Sequence, residues 1–192
     1  LEPRLEEAKA GKRTVFFVDA AHFVLGAYLG FLWCFARVVV RAPSGRQRFN
    51  VLGALDAITH QLITVTNESY INSVSVGELL EKIAGLGLQT PITLVMDNAR
   101  YQRCRYVLEI AARLGIEILF LPPYSPNLNL IERLWKFVKK ECLYDEYYEN
   151  FQLFKDAITR CLSETSGSHK SALKTLLTLN FQTFQLAICG LA

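Results

Sequence analysis

The hydrophobic pattern changes period along the chain, and that change orders the elements. Residues 14–19 (TVFFVD) form a short apolar run ending in a carboxylate, which predicts a buried strand. Residues 49–55 and 62–66 are two further strand-like runs, and residues 56–61 between them suit a hairpin connection. Three successive strands predict an antiparallel meander. The spacing then turns helical. Val76, Leu79, Leu80 and Ile83 predict a helix that Gly85 and Gly87 end. Residues 91–96 (PITLVM) predict a fourth strand, ending at Asp97. Val107, Ile110, Ala111 and Leu114 predict a helix stopped by Gly115, and residues 116–121 (IEILFL) a fifth strand stopped by Pro122 and Pro123. A helix follows over residues 128–143, another is marked by Phe151, Phe154, Ile158 and Cys161, and Leu173, Leu176 and Leu177 favour a helix in the tail. Strands four and five alternate with helices, which favours parallel pairing through right-handed crossovers. The expected fold is α/β: a mixed five-stranded sheet, three antiparallel strands then alternating helix and strand, flanked by helices. Residues 14–165 are expected to form this domain, residues 1–13 a linker or the remnant of an upstream region, and residues 166–192 a partly helical C-terminal tail.

Three acids fall at informative places in this pattern. Asp19 ends the first predicted strand, Asp97 ends the fourth, and Glu132 lies at the start of the helix after strand five. If strands one and four are neighbours, their ends bring Asp19 and Asp97 together, and a helix leaving the same edge adds Glu132. Hard divalent cations take oxygen ligands, and magnesium uses only a few carboxylates plus waters and substrate phosphate. Each acid also has a structural alternative. Asp19 suits turn hydrogen bonds at a strand end, and Asp97-Asn98 suits a turn. Glu132 follows Asn129 by three, the spacing of a capping box. Asp56 and Glu68 are rival acids, placed by the expected sheet order at the far end or edge.

Residues 123–135 read PYSPNLNLIERLW, and this segment closely resembles the signature around the last catalytic acid of the DDE transposases of the mariner and bacterial insertion-sequence superfamily. Met96-Asp97-Asn98-Ala99-Arg100 resembles the family's Asp-Asn-Ala segment, and 34 residues lie between Asp97 and Glu132, a spacing characteristic of its bacterial members. Residues 18–23 (VDAAHF) are similar to the first catalytic strand. The resemblance runs over about residues 14–162 and implies a ribonuclease H-like fold. It further implies that Asp19, Asp97 and Glu132 are catalytic and hold two Mg2+ or Mn2+ ions, with Asp19 bridging them. The implied activity is metal-dependent DNA strand cleavage and 3′-end strand transfer. Implied partners are double-stranded DNA, at element ends and target, and a second copy of the chain. Two departures stand out. Tyr101 and Gln102 occupy the region where many relatives carry a histidine, and the helix-turn-helix modules that usually precede this domain are absent from the given sequence. An upstream DNA-binding module is therefore expected as a further partner. Two alternatives stay open: another ribonuclease H-like nuclease, which the Tyr-Ser-Pro signature disfavours, and a catalytically silent transposase-derived binding module, which the intact triad disfavours.

Composition adds limits. The chain of 192 residues is 51% hydrophobic and 20% charged, a globular balance that suits one domain. A net charge of +3 permits nucleic-acid binding without arguing for it, so the DNA case rests on where the cations sit. In the 128–143 helix, Ile131, Leu134, Trp135 and Val138 share one face, with Leu130 and Phe137 beside them. Glu132, Arg133, Lys136, Lys139 and Lys140 share the other, either to hold phosphates or as a solvated face with a Glu132–Lys136 pair. Arg100 and Arg103, and Arg46 and Arg48, are further candidate DNA contacts. His22 suits a packing or turn contact. The five cysteines, Cys34, Cys104, Cys142, Cys161 and Cys189, have no C-x-x-C spacing, which fits reduced thiols in a bacterial cytoplasm better than zinc or disulfides. Residues 23–36 are an apolar run of fourteen residues, shorter than a membrane span, and suit buried core or an interface.

Overall fold

The computed structural model describes residues 1–26, 35, 47–123 and 125–181. Its sheet contains β1 (Thr14–Val24), β2 (Arg48–Asp56), β3 (Leu62–Asn67), β4 (Ile92–Met96) and β5 (Ile116–Phe120). The order across the sheet is β3-β2-β1-β4-β5. β1, β2 and β3 are antiparallel, while β4 runs parallel to β1 and β5 parallel to β4. This is the mixed sheet that the alternating pattern implies.

Alternation along β1 sends its side chains to two cores. Phe16 and Val18 face α2 (Ser73–Ala84) and α3 (Arg105–Arg113), where Val76, Leu79, Leu80, Ile83, Val107 and Ala111 are buried. Val15, Phe17, Ala21 and Phe23 face α4 (Ile131–Cys142) and α5 (Phe151–Ser163), which contribute Leu134, Trp135, Val138, Phe154 and Ile158. Asn72 accepts from the Val74 and Ser75 amides and starts α2 with a capping box.

β1 does not stop at Asp19 as its apolar run suggests. Pairing with β4 ends at Val18 opposite Met96, whereas pairing with β2 continues from Asp19 opposite Gly53 to Val24 opposite Arg48. Asp19 therefore sits where its parallel neighbour leaves. The expected helix from residue 128 also differs. A 3-10 turn, Pro126–Leu128, comes first, and α4 starts only at Ile131. The Asn129 capping box is not formed: Leu130, not Asn129, is the N-cap of α4, and the Asn129 side chain donates through Nδ2 to the Val18 carbonyl at 3.2 Å. Of the apolar run at residues 23–36, Phe23 is buried in β1, while residues 27–34, including Trp33 and Cys34, lie outside the described residues. No described helix is long and apolar enough to cross a membrane.

The segment expected as a linker contains α1 (Glu2–Lys9), with Leu5 and Ala8 buried in the same core as Phe17. Charge pins it: Arg4 Nη2 donates to Glu117 on β5 at 2.7 Å, and Arg13 Nη1 reaches Glu117 at 3.0 Å and Thr93 at 2.8 Å. These partners hold the Glu117 carboxyl below its usual range, the Arg4 hydrogen bond foremost. At the other end α6 (Lys170–Leu176) buries Leu173 in that core, and Leu177 just beyond it is buried too. Leu5→Ala is expected to destabilise the fold by about 2 kcal/mol or more, as for other buried leucines. Urea unfolding checks this, since a detached linker would leave the midpoint unchanged.

Candidate active site

The sheet brings two acids side by side before any helix is considered. Val18 pairs with Met96, so the next residues, Asp19 and Asp97, leave that register together. The Leu121 amide donates to the Met96 carbonyl at 2.8 Å and carries the β4–β5 ladder one step further. Phe17 and Ala21 flank Asp19 in alternation on the α4 side, and Val95 does the same for Asp97. Glu132 belongs to the first turn of α4. All three carboxylates line one cavity of about 520 Å3, together with Asn98, Arg103 and Asn129. Asp97 is exposed, and Asp19 and Glu132 are half-buried.

Asp19 carries the electrostatic strain of this arrangement. Burial first, then the negative charges of Glu132 and Asp97, push its carboxyl up to about 7 from 3.8, against the backbone hydrogen bond at Ala20 and a Trp135 donor. Trp135 Nε1 donates to Asp19 Oδ2 at 3.0 Å. The same field reaches Tyr101, whose phenol is pushed up to about 12 by burial, then by Asp97 and Asp19. Like charges around a desolvated carboxylate favour either a proton or a cation there. The donors present are hard oxygens, which suit Mg2+ or Mn2+ and not a thiolate-seeking metal. The three acids share the cavity without forming a tight cluster: among the described residues no three His, Cys, Asp or Glu side chains are gathered closely enough to hold an ion.

The rival acids are occupied elsewhere. Asp56 Oδ1 accepts from the Ile58 and Thr59 amides at 2.8 and 2.6 Å, and Glu68 pairs with Lys155 at 2.6 Å. His22 shares a hydrogen bond of 2.7 Å with Asn50. The basic candidates divide. Arg103 lines the acidic cavity and Arg100 is exposed just after Asp97. Lys136 and Lys140 are exposed along α4 and line a groove against α6, while Lys139 is half-buried. Arg48 lies 5.9 Å from the Tyr70 ring, and Arg46 is outside the described residues. Arg133 departs from the expected DNA face. Its guanidinium donates to the carbonyls of Thr178 and Asn180, both at 2.7 Å, and lies 5.7 Å from the Phe181 ring. It clamps the chain after α6 instead. The expected Glu132–Lys136 pair is not formed among the described residues; Glu132 lines the cavity.

Three residues of the site are not singled out by the sequence pattern. Asn129 and Trp135 lie in the same segment as Glu132, where they read as a cap and a core residue. Gly53 reads as an ordinary strand position, although a glycine inside a strand signals the close approach of another group.

Sheet order and cavity define a ribonuclease H-like α/β domain in which Asp19 of β1, Asp97 just after β4 and Glu132 of α4 line one cavity. A family profile described as DDE superfamily endonuclease matches residues 14–155, and the chain belongs to that family. Solved structures share the fold. A pre-cleavage Mos1 transpososome aligns with TM-score 0.62 and 11% identity over 96% of this chain and 60% of that one. A Mos1 mariner paired-end complex with Mn aligns with TM-score 0.61 and 13% identity, over 96% and 61%. The HTLV-2 integrase catalytic core with magnesium aligns with TM-score 0.52 and 12% identity, over 80% and 86%. An uncharacterised protein of Sinorhizobium fredii, y4pE/y4sA, is 34% identical over 47 residues, 24% of this chain and 33% of that protein. The chain thus spans a third of this curated relative and about 60% of the Mos1 transposase chains.

The Asp19 shift sets a pH dependence. Its folded pKa near 7 exceeds the 3.8 of the free side chain, so the folded state binds this proton more tightly. The resulting stability is present in full below pH about 4 and is lost as pH rises through about 7, by up to roughly 4 kcal/mol. In chelator, melting temperatures of wild type should fall over that window relative to Asp19→Asn. Parallel curves for the two proteins would contradict the shift.

Proposed function

We propose that this chain is the catalytic domain of a transposase, cutting DNA at element ends and joining the freed 3′ ends to target DNA with divalent cations. One observation carries the reading: acids from β1, from the end of β4 and from α4 line a single cavity, where Asp19 is destabilised as an anion by burial first and then by the other two. The family match spans all three residues. Neighbours of the same fold, solved as a transpososome, as a paired-end complex with Mn and as an integrase core with magnesium, support the same chemistry.

In this reading Asp19, Asp97 and Glu132 would hold two Mg2+ or Mn2+ ions. Such ions, when bound, supply Lewis acidity to the scissile phosphate and stabilise the entering and leaving oxygens. The protein's part is placement. Sheet register fixes Asp19 beside Asp97, and the first turn of α4 delivers Glu132 to the same cavity. In cleavage the water oxygen bonds to phosphorus, the P–O3′ bond breaks, and the proton passes to the released 3′-oxygen. In joining, that 3′-oxygen bonds to a target phosphorus, the target P–O3′ bond breaks, and the hydroxyl proton passes to the released target 3′-oxygen. Arg103 at the cavity, Arg100 just after Asp97, and Lys136, Lys139 and Lys140 along α4 offer cations to the DNA backbone. Two ends imply two copies of the chain, and end recognition calls on an upstream DNA-binding module.

Cleavage and strand transfer on element-end DNA with Mg2+ or Mn2+ test the assignment. Asp97→Ala should lower activity by more than the roughly 10- to 100-fold that loss of an outer partner of a metal ligand costs. Activity that survives the substitution contradicts the assignment, and a wild type inactive with its upstream region restored favours a silent binding module. For DNA affinity, Lys136→Ala should reduce the slope of log K against log salt by about 0.9 if it removes one phosphate contact. Arg133→Ala should leave that slope unchanged, because its guanidinium is engaged by Thr178 and Asn180.

A further inference from the structure

Trp135 lies three residues after Glu132, about one turn along α4, so one helix presents both side chains toward β1. Its ring is only 3% exposed and packs edge-on to Phe23, with centroids 6.5 Å apart. The polar edge is what sets it apart from the other core residues of α4. Trp135 Nε1 reaches Asp19 Oδ2 at 3.0 Å, and an indole N–H can only donate. The sheet is cut away to admit this ring. Gly53 stands directly opposite Asp19 in the β1–β2 pairing, and a Cβ at that position would lie 2.7 Å from Trp135 Cη2 and 2.9 Å from Cζ2. A second tie from the same segment, Asn129 Nδ2 to the Val18 carbonyl, holds the backbone just before Asp19.

We propose that Trp135 is a positioning residue: its indole N–H fixes the rotation of the Asp19 carboxylate, so that one oxygen is held by the protein and the other is kept for a cation. Asp19 stands between two repelling carboxylates, and a donor on one oxygen is the means of holding it in a single orientation against them. The donor comes from α4, the helix that carries Glu132, so Asp19 is tied to the element that supplies the third acid. Gly53 is a condition of the arrangement, since any side chain there displaces the ring. The inference rests on the cation-holding role of Asp19 proposed above.

The test is Trp135→Phe in the full chain, which keeps an aromatic ring in the core and removes the donor together with the second ring of the indole. Titration calorimetry with Mn2+ alone, without DNA, should give an affinity about 10- to 100-fold weaker than wild type, the loss typical for an outer partner of a metal ligand. Unfolding in chelator reports the packing cost separately, and the Mn2+ titration is made where both proteins are folded. Cleavage by the variant should fall further with Mg2+ than with Mn2+, a split that a packing role would not produce. An Mn2+ affinity within twofold of wild type would overturn the proposal and leave the transposase reading standing. A wild type that binds no Mn2+ at all would overturn both. Should the variant fail to fold, the wild type still decides the matter. Its Trp135 indole N–H resonance should shift as Mg2+ saturates, and no shift at saturation would overturn the proposal.

Discussion

The register between β1 and β4 is the constraint on which the site depends. Val18 faces Met96, so Asp19 and Asp97 emerge together where the parallel ladder ends. A slip of one residue would send Asp19 to the opposite face, among Phe16 and Val18, and away from α4. Both faces of β1 are buried, which makes such a slip costly. The hydrophobic pattern that folds the sheet is therefore also what places the acids. The favourable burial of Phe17, Ala21 and Phe23 on one face holds a carboxylate that its neighbours repel.

α4 divides its tasks around its axis. Leu134, Trp135 and Val138 join the core, Glu132 meets the cavity, Arg133 holds the chain after α6, and Lys136 and Lys140 stay exposed. The helix starts without a side-chain cap, since its N-cap is Leu130, while Asn129 just before it donates to the Val18 carbonyl. A capping hydrogen bond contributes about 1 kcal/mol. Its loss here accompanies a tie between the helix entry and the strand that carries Asp19, a local rule broken where the chemistry sits.

Most of the fold is legible in the sequence because each element carries its own period and its own stop. The strands at residues 91–96 and 116–121 are continuous apolar runs between breakers, and Val76 to Ile83 keeps helical spacing. The site acids are legible through the segment around Glu132 and its distance from Asp97. What escapes depends on tertiary contacts. The charged α1 looks like a linker because only Leu5 and Ala8 enter the core, and its anchor, Glu117, is more than a hundred residues away. Arg133 looks solvated because its partners are backbone carbonyls, which no side-chain pattern encodes. Asp19 looks like a strand end because an apolar run cannot show that β2 continues to pair after β4 stops. Gly53 inside its strand signals that some group comes close, but only the fold shows that the group is Trp135.

The central claim is that the three acids form a divalent-cation site. Anomalous diffraction from crystals grown with Mn2+ tests it directly. The account predicts manganese peaks in the cavity, bonded to Asp19 and to Asp97 or Glu132. Saturating Mn2+ with an empty cavity, or with peaks only at other surface acids, would contradict it.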